Sequence, residues 1–73
     1  MRLVAERLAN CLKEERARLS LTQAELAQQV GVSRKTVNTV ENGVFIPSTI
    51  LAIKLAQALG LSVETLFQVE ITS

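Results

Sequence analysis

The chain has 73 residues and a net charge of +1, and 48% of its residues are hydrophobic although only 3% are aromatic. It holds no histidine and one cysteine, which excludes a serine triad, a Cys–His catalytic pair, a Cys/His zinc site and an internal disulfide within one chain. So few aromatic side chains also argue against binding single-stranded bases by stacking. We expect one soluble, cytoplasmic domain over residues 1–73 that is not an enzyme and needs no cofactor or metal.

The first segment, about residues 3–19, carries apolar side chains at three- and four-residue steps. Leu8, Leu12 and Leu19 recur at this spacing. The periodicity predicts an amphipathic helix that begins close to the N-terminus. Cys11 lies one position from the apolar stripe, so we interpret it as a half-buried apolar residue and not as a reactive thiol.

A second helix is predicted to begin after Thr22. Thr22 followed by Glu25 three positions later is the pattern of a capping box. Gly31 is predicted to end this helix in the left-handed conformation, which glycine adopts readily. The expected buried stripe consists of Leu26, Ala27 and Val30.

A third helix is predicted to begin at Ser33, only two residues beyond Gly31, and to end at Gly43. Val37 and Val40 are expected to face inward. The outward residues are then polar or cationic: Arg34, Lys35, Thr36, Asn38 and Thr39.

The rest of the chain predicts two more helices and a strand. Ser48 and Gly60 bracket a helix over residues 49–59, and Ser62 caps a short helix over residues 63–67. The tail QVEITS alternates apolar and polar residues, which predicts a short strand. The loop VFI at residues 44–46 is apolar; it is expected either to lie in the core or to form a self-association patch.

Two short helices joined by a tight glycine turn form a helix-turn-helix, here residues 22–43. Ala27 is small where the two helices would cross, and Gly31 supplies the turn. In such a unit the start of the second helix projects from the molecule and enters the DNA major groove. The adjacent cations Arg34 and Lys35 would stand at that projecting end.

The segments LTQAELAQQVGVSRKTVNTVENG and PSTILAIKLAQALGLSVETLF resemble the phage repressor and Cro type of helix-turn-helix regulator, and most of all its small, cytolysin-repressor-like members. The resemblance covers residues 8–67. It implies an all-α, five-helix fold that binds double-stranded operator DNA as a homodimer. Two departures stand out: the loop after Gly43 lacks a cation, and the predicted first helix replaces a short strand.

The resemblance also implies roles for individual residues. Those expected to read base edges are Arg34, Lys35, Thr36 and Thr39. Those expected to contact phosphates are Thr22, Gln23, Ser33, Asn38, Asn42 and Gly43. Arg16 and Glu41 match a pair that forms a salt bridge between the first and third helices.

The segment over residues 61–73 is expected to form the dimer interface. The expected interface residues are Val63, Phe67, Val69 and Ile71. Val69 and Ile71 have no predicted partner strand in their own chain, so we hypothesise that they pair with the same tail of the other subunit.

Together these features predict a sequence-specific DNA-binding transcriptional regulator, a repressor that binds a palindromic operator through the major groove. An antitoxin that binds both its promoter and a toxin is an alternative, as is a helical protein-interaction module without DNA binding. The sequence predicts neither a membrane segment nor a small-molecule effector site.

Overall fold

The computed structural model describes residues 5–72 of the chain, and side-chain burial for residues 6–71. Five helices lie between two strands, one near each end of the described chain. The elements are β1 (Ala5–Asn10), α1 (Leu12–Arg18), α2 (Gln23–Val30), α3 (Arg34–Glu41), α4 (Thr49–Leu59), α5 (Val63–Leu66) and β2 (Phe67–Thr72). Within these residues, no helix has the length and apolar character needed to cross a membrane.

Side-chain hydroxyls start four of the five helices. Thr22, Ser33, Ser48 and Ser62 each accept a hydrogen bond from the backbone N–H three residues further along, as their positions predict. At α2 the predicted capping box is complete, because Glu25 returns a hydrogen bond to the backbone N–H of Thr22. These caps explain why the starts of α2 to α5 follow closely from the sequence.

The turn between α2 and α3 depends on the conformation of Gly31. Its φ of +77° lies in the left-handed region, which a side chain disfavours. The N–H of Val32 then bonds to the carbonyl of Ala27 at 3.0 Å, which satisfies one of the free carbonyls at the end of α2. The reversal leaves just two residues, Val32 and Ser33, before α3 begins.

The core is built from aliphatic side chains and one phenylalanine. Ala27 is buried on α2, where α2 packs against α3, and its small size lets the two backbones approach closely. Leucines from α1, α2, α4 and α5 fill the centre. The buried residues are Leu12, Leu26, Ala27, Val30, Val37, Val40, Leu51, Leu55, Ala56, Leu59, Leu66 and Phe67.

The prediction of one helix over residues 3–19 was wrong in its first part. Residues 5–10 form β1, and α1 begins only at Leu12; residues 3 and 4 lie outside the described residues. Leu8 stands at a helical step from Leu12, yet in a strand it points to the face opposite its neighbours Arg7 and Ala9. So short a stretch fits both periods, and pairing with a distant strand decides between them. The sequence also predicted that this chain departs from cytolysin-repressor-like proteins by having a helix in place of their first short strand, and that prediction is therefore wrong as well.

The pairing of β1 with β2 overturns the hypothesis that the tail pairs with another subunit's tail. The strands run antiparallel within one chain, with Leu8 opposite Val69 and Asn10 opposite Phe67. Phe67, predicted at the dimer interface, is only 7% exposed because it closes the core of its own chain. Val63 is half-buried and also packs against that core.

The two-stranded sheet has one apolar face that continues past the core. Leu8, Val69 and Ile71 share this face, since opposite residues in the register point the same way, and the exposed Glu6 lies at its edge opposite Ile71. Phe67 is buried in the core and Leu8 packs against it, whereas Val69 and Ile71 are 62% and 64% exposed. We refer to Leu8, Val69 and Ile71 as the apolar sheet face.

The loop between α3 and α4 is not part of the core. Val44 and Ile46 are 78% and 72% exposed, and Phe45 is about half exposed. The expectation that this loop lies in the core is therefore wrong. Phe45 and Ile46 border a groove of about 700 Å³, and Leu8 and Val69 of the sheet line the other wall.

Candidate nucleic-acid interface

Helix α3 is held by one face and presents the other to solvent. Val37 and Val40 are buried, and they fix the helix against the core. Arg34, Lys35 and Asn38 are exposed on the opposite side. The spacing of the two valines thus determines which α3 side chains are available to a ligand.

The N-terminal end of α3 is electrostatically suited to an anion. Arg34 and Lys35 occupy its first turn, which contains no acidic residue. The helix dipole and the free N–H groups of that turn add partial positive charge to the two cations. Ser33 caps the helix, and its hydroxyl shares a hydrogen bond of 3.0 Å with the hydroxyl of Thr36.

The hydroxyl of Thr39 is engaged by its own helix. Its Oγ1 donates toward the carbonyls of Lys35 and Thr36, at 3.1 Å and 2.9 Å. A hydroxyl whose proton is used in this way can still accept a hydrogen bond. Thr39 can therefore offer a ligand an acceptor or its methyl group, but not a free donor.

Arg16 and Glu41 form an ion pair between α1 and the end of α3. Arg16 Nε donates to Glu41 Oε2 at 2.6 Å and Nη2 donates to Oε1 at 3.2 Å, so two guanidinium nitrogens hold the two carboxylate oxygens. A third nitrogen of Arg16 donates to the carbonyl of Leu21 at 2.8 Å. The hydrogen bond with Glu41 raises the pKa of Arg16, which stays charged in any case.

A row of amide side chains continues from this ion pair along α3. Gln23, at the start of α2, donates to Glu41 Oε1 at 3.1 Å. Asn38 donates to the carbonyl oxygen of the Gln23 side chain at 3.4 Å, and Asn42 donates to Asn38 Oδ1 at 3.2 Å. The structure thus brings together three of the predicted phosphate-contacting residues and links them to the carboxylate that anchors α3.

The loop after α3 is tied back to the helix through one carbonyl. The N–H groups of Val44 and Phe45 donate to the Thr39 carbonyl at 2.9 Å and 3.2 Å. Gly43 itself has a positive φ of 73° and donates to the Val40 carbonyl at 3.1 Å. Asn42 and Gly43 therefore stand at the C-terminal end of α3, at the far end from Arg34.

Asn10 contributes to the geometry of α3 and was not predicted to. Its Nδ2 donates to the Val40 carbonyl at 3.0 Å and, more weakly, to the Glu41 carbonyl at 3.4 Å. Its Oδ1 accepts from the Leu12 N–H at 3.1 Å at the start of α1. Asparagine is a residue type that favours helix starts, and Asn10 lies two residues before Leu12, with Cys11 at the N-cap position between them.

Cys11 lies between β1 and α1, beside the end of α5. Its Sγ lies 3.6 Å and 3.8 Å from the carbonyl oxygens of Thr65 and Leu66. Burial raises the pKa of its thiol, and the nearby carboxylates of Glu15 and Glu14 raise it further. These surroundings disfavour the thiolate, which is the reactive form.

Comparisons with known proteins agree with this geometry. A family model described as helix-turn-helix matches residues 12–66. The uncharacterized HTH-type transcriptional regulator YgzD of Bacillus subtilis is 40% identical over 63 residues, which covers 86% of this chain and 96% of YgzD. The cryptic phage CTXphi transcriptional repressor RstR of Vibrio cholerae is 33% identical over 63 residues, covering 86% of this chain and 53% of RstR.

Two solved structures resemble the fold described above. The restriction-modification controller protein C.AhdI from Aeromonas hydrophila superposes with a TM-score of 0.70 at 35% identity, covering 74% of this chain and 82% of that one. The clp gene regulator ClgR from Corynebacterium glutamicum gives a TM-score of 0.68, also at 35% identity, and 71% of this chain matches 55% of ClgR. With the helix-turn-helix, the family match and these relatives in agreement, the chain belongs to the Cro/C1-type helix-turn-helix family of DNA-binding transcriptional regulators, a non-enzymatic class.

Proposed function

We propose that this regulator is a sequence-specific repressor that places α3 in the major groove of a two-fold symmetric operator and binds it as a homodimer. The observation that carries the proposal is the presentation of α3. Two buried valines hold one face of the helix, while Arg34 and Lys35 stand exposed at its cap. A helix presented by its N-terminal end is how helix-turn-helix proteins reach base edges.

The proposed base-reading residues have different chemistry. Arg34 suits a two-point contact with guanine O6 and N7, and Lys35 can donate to the same acceptors. Thr39 meets a base with its methyl group or as an acceptor, because its proton is used within the helix. Thr36 is half-buried and shares its hydroxyl with Ser33, so its contribution is smaller.

The proposed phosphate contacts flank this reading end. Gln23 keeps a donor for a phosphate, because its amide has two N–H groups and the structure uses one on Glu41. Asn38 and Asn42 follow on the same row. The further proposed phosphate contacts are Thr22, Ser33 and the backbone of Gly43.

The homodimer is supported by the sheet that projects from the domain. The described chain is 44 Å long but only about 20 Å across. At the far end of the apolar sheet face, Val69 and Ile71 are mostly exposed, and Ile46 and Phe45 border the groove beside them. A contiguous exposed apolar surface of this kind is typical of a protein–protein contact.

A second copy of the chain is the occupant that the proposed operator requires. A helix-turn-helix reads one half-site, and two copies related by a two-fold axis read two half-sites about 34 Å apart. An interface around such an axis uses the same patch on both copies. We therefore assign the interface to Val69, Ile71 and the neighbouring loop, in place of the buried Phe67.

Selection of bound duplexes from a random DNA pool tests the DNA-binding part of the proposal. The expected result is one enriched motif in two inverted copies, with centres about 10 bp apart. A pool that stays random after repeated selection would contradict sequence-specific binding. A single, unrepeated motif would contradict the two-fold symmetry of the operator but not sequence-specific binding.

Sedimentation of two matched double variants tests the interface. V69S/I71S removes two exposed apolar side chains from the apolar sheet face, and we expect it to sediment as a monomer. Q68S/E70S changes the opposite face of the same strand and should sediment as a dimer, like the unmodified protein. A dimer that survives in V69S/I71S would rule out this surface.

A further inference from the structure

Asn10 connects the apolar sheet face to the recognition helix. It lies on β1 on the same face as Leu8, which is two residues earlier, and opposite Phe67 in the register. From there its side-chain amide reaches the carbonyls of Val40 and Glu41 at the end of α3. One half-buried side chain thus joins the sheet to α3 directly.

The chemistry of the contact suits its position. The last carbonyls of a helix have no partner within the helix, and they form the negative end of its dipole. An amide N–H is a suitable donor for them, whereas a carboxylate in its place would be repelled. The Oδ1 atom of Asn10 is also engaged, by the N–H of Leu12, so both ends of the amide are fixed.

A small change at this contact is amplified at the DNA. Helix α3 has 8 residues, so its reading end lies about 12 Å from the end that Asn10 holds. A tilt of about 5° at one end moves the other end by about 1 Å over that length. A shift of that size is comparable to the tolerance of a hydrogen bond to a base edge.

We propose that Asn10 is a positioning residue that sets the angle of α3 relative to the sheet, and through it the separation of the two recognition helices in the dimer. This inference rests on the proposed homodimer, in which the sheet forms the interface. Arg16 holds the same end of α3 from α1, but it holds it against the core and not against the sheet. Asn10 therefore links the geometry of the dimer interface to the half-site spacing that the dimer prefers.

The test compares Asn10→Asp and Asn10→Ala with the unmodified protein on three DNA duplexes. Each duplex carries two inverted copies of the half-site selected from the random pool, at the selected spacing or with two base pairs more or fewer. Asp keeps the acceptor for Leu12 but loses both donors to α3; Ala loses all three contacts. Arg7→Gln, on the other face of β1, is the control.

The unmodified protein and Arg7→Gln should prefer the selected spacing. In both Asn10 variants, the ratio of affinities for the selected and the altered spacings should fall about three- to tenfold, which is the effect of losing one or two hydrogen bonds. Binding to a duplex with a single half-site should change much less, since each reading end is intact. Thermal melting of both variants reports the structural effect, and the ratio of affinities for the selected and altered spacings reports the coupling separately.

Three outcomes would overturn the inference, in distinguishable ways. If the Asn10 variants keep the full spacing preference, the homodimer is supported and the positioning role of Asn10 is contradicted. If affinity for single and double half-sites drops equally, Asn10 supports the fold only. If the unmodified protein itself shows no spacing preference, the homodimer falls and the inference falls with it.

A measurement on the unmodified protein serves if neither variant folds. The NMR signals of the Asn10 side-chain amide should shift when the double half-site duplex binds, and much less with a single half-site. Signals that do not respond to the double site would contradict the coupling.

Discussion

Arg16 and Glu41 pair through two hydrogen bonds that join α1 to the last turn of α3, with only 15% and 5% of their side chains exposed. The same carboxylate accepts from Gln23 at the start of α2. One side chain on α3 is therefore held by the two helices that precede it. This pair fixes α3 within the domain, and Asn10 fixes it against the sheet.

Replacing Glu41 should destabilise the fold. Glu41→Ala leaves the guanidinium of Arg16 largely buried without its partner, which costs about 3–5 kcal/mol. For a domain of this size, the melting temperature should fall by roughly 10 °C or more. Glu64→Ala is the control, because Glu64 is exposed and a surface change of this kind costs within about 0.5 kcal/mol. Equal melting temperatures for the two variants would refute the pinning role.

Thr39 should tolerate loss of its hydroxyl better than loss of its methyl group. Its proton is already used on α3, so Thr39→Val keeps the shape and the methyl group that we propose to meet a base. Thr39→Ser keeps the hydroxyl and removes the methyl. Anisotropy with the selected operator should show near-unchanged affinity for Val and a loss of about three- to tenfold for Ser. The reverse order would mean that the hydroxyl contacts DNA.

The capping box of α2 should make stability depend on pH. The backbone N–H of Thr22 donates to the carboxylate of Glu25 and lowers its pKa below the ordinary glutamate value. A group with a lowered pKa stabilises the fold above its unfolded-state pKa, and this contribution is lost as the pH falls through the folded-state value.

Glu25→Gln isolates this effect because the amide can still accept from Thr22 but does not titrate. The melting temperature of the unmodified protein should exceed that of the variant at neutral pH, and the difference should shrink toward about pH 3. A difference that stays constant over this range would contradict the capping role of the charge.

Cys11 should react slowly with alkylating reagents. Burial and the carboxylates of Glu15 and Glu14 raise its thiol pKa, so less thiolate is present at neutral pH than in an ordinary cysteine. Mass spectrometry should show slower alkylation by iodoacetamide in the folded protein than in urea. Faster reaction in the folded state would instead indicate an activated thiol.

Local signals in the sequence predicted the central part of the fold. The caps at Thr22, Ser33, Ser48 and Ser62 placed the starts of α2 to α5, since each is a contact between residues three apart. Gly31 placed the turn for the same reason, because its left-handed φ is a local requirement. The resemblance to Cro-type regulators added the pairing of Arg16 with Glu41, which lie 25 residues apart.

The tail was predicted to be a strand, as β2 confirms, but its pairing within the chain and the strand β1 could not be predicted in the same way. The strand character of residues 5–10 depends on β2, more than 50 residues away, and six residues with Leu8 near Leu12 fit a helix equally well. The burial of Phe67 and the exposure of Val44 follow from that same long-range pairing and from the path of the loop. The contact of Asn10 with α3 spans 30 residues and has no local pattern.

Arg34 and Lys35 are the residues on which the proposed reading of DNA by α3 depends most. Anisotropy of the selected operator with Arg34→Ala/Lys35→Ala, beside Lys13→Ala/Lys54→Ala, tests this directly, because both double variants remove two positive charges. Lys13 and Lys54 lie on α1 and α4, outside the helix-turn-helix. We predict a loss of about a hundredfold in affinity for the first variant and within about threefold for the second. Equal affinities for the two variants would contradict the assignment of α3 as the recognition helix.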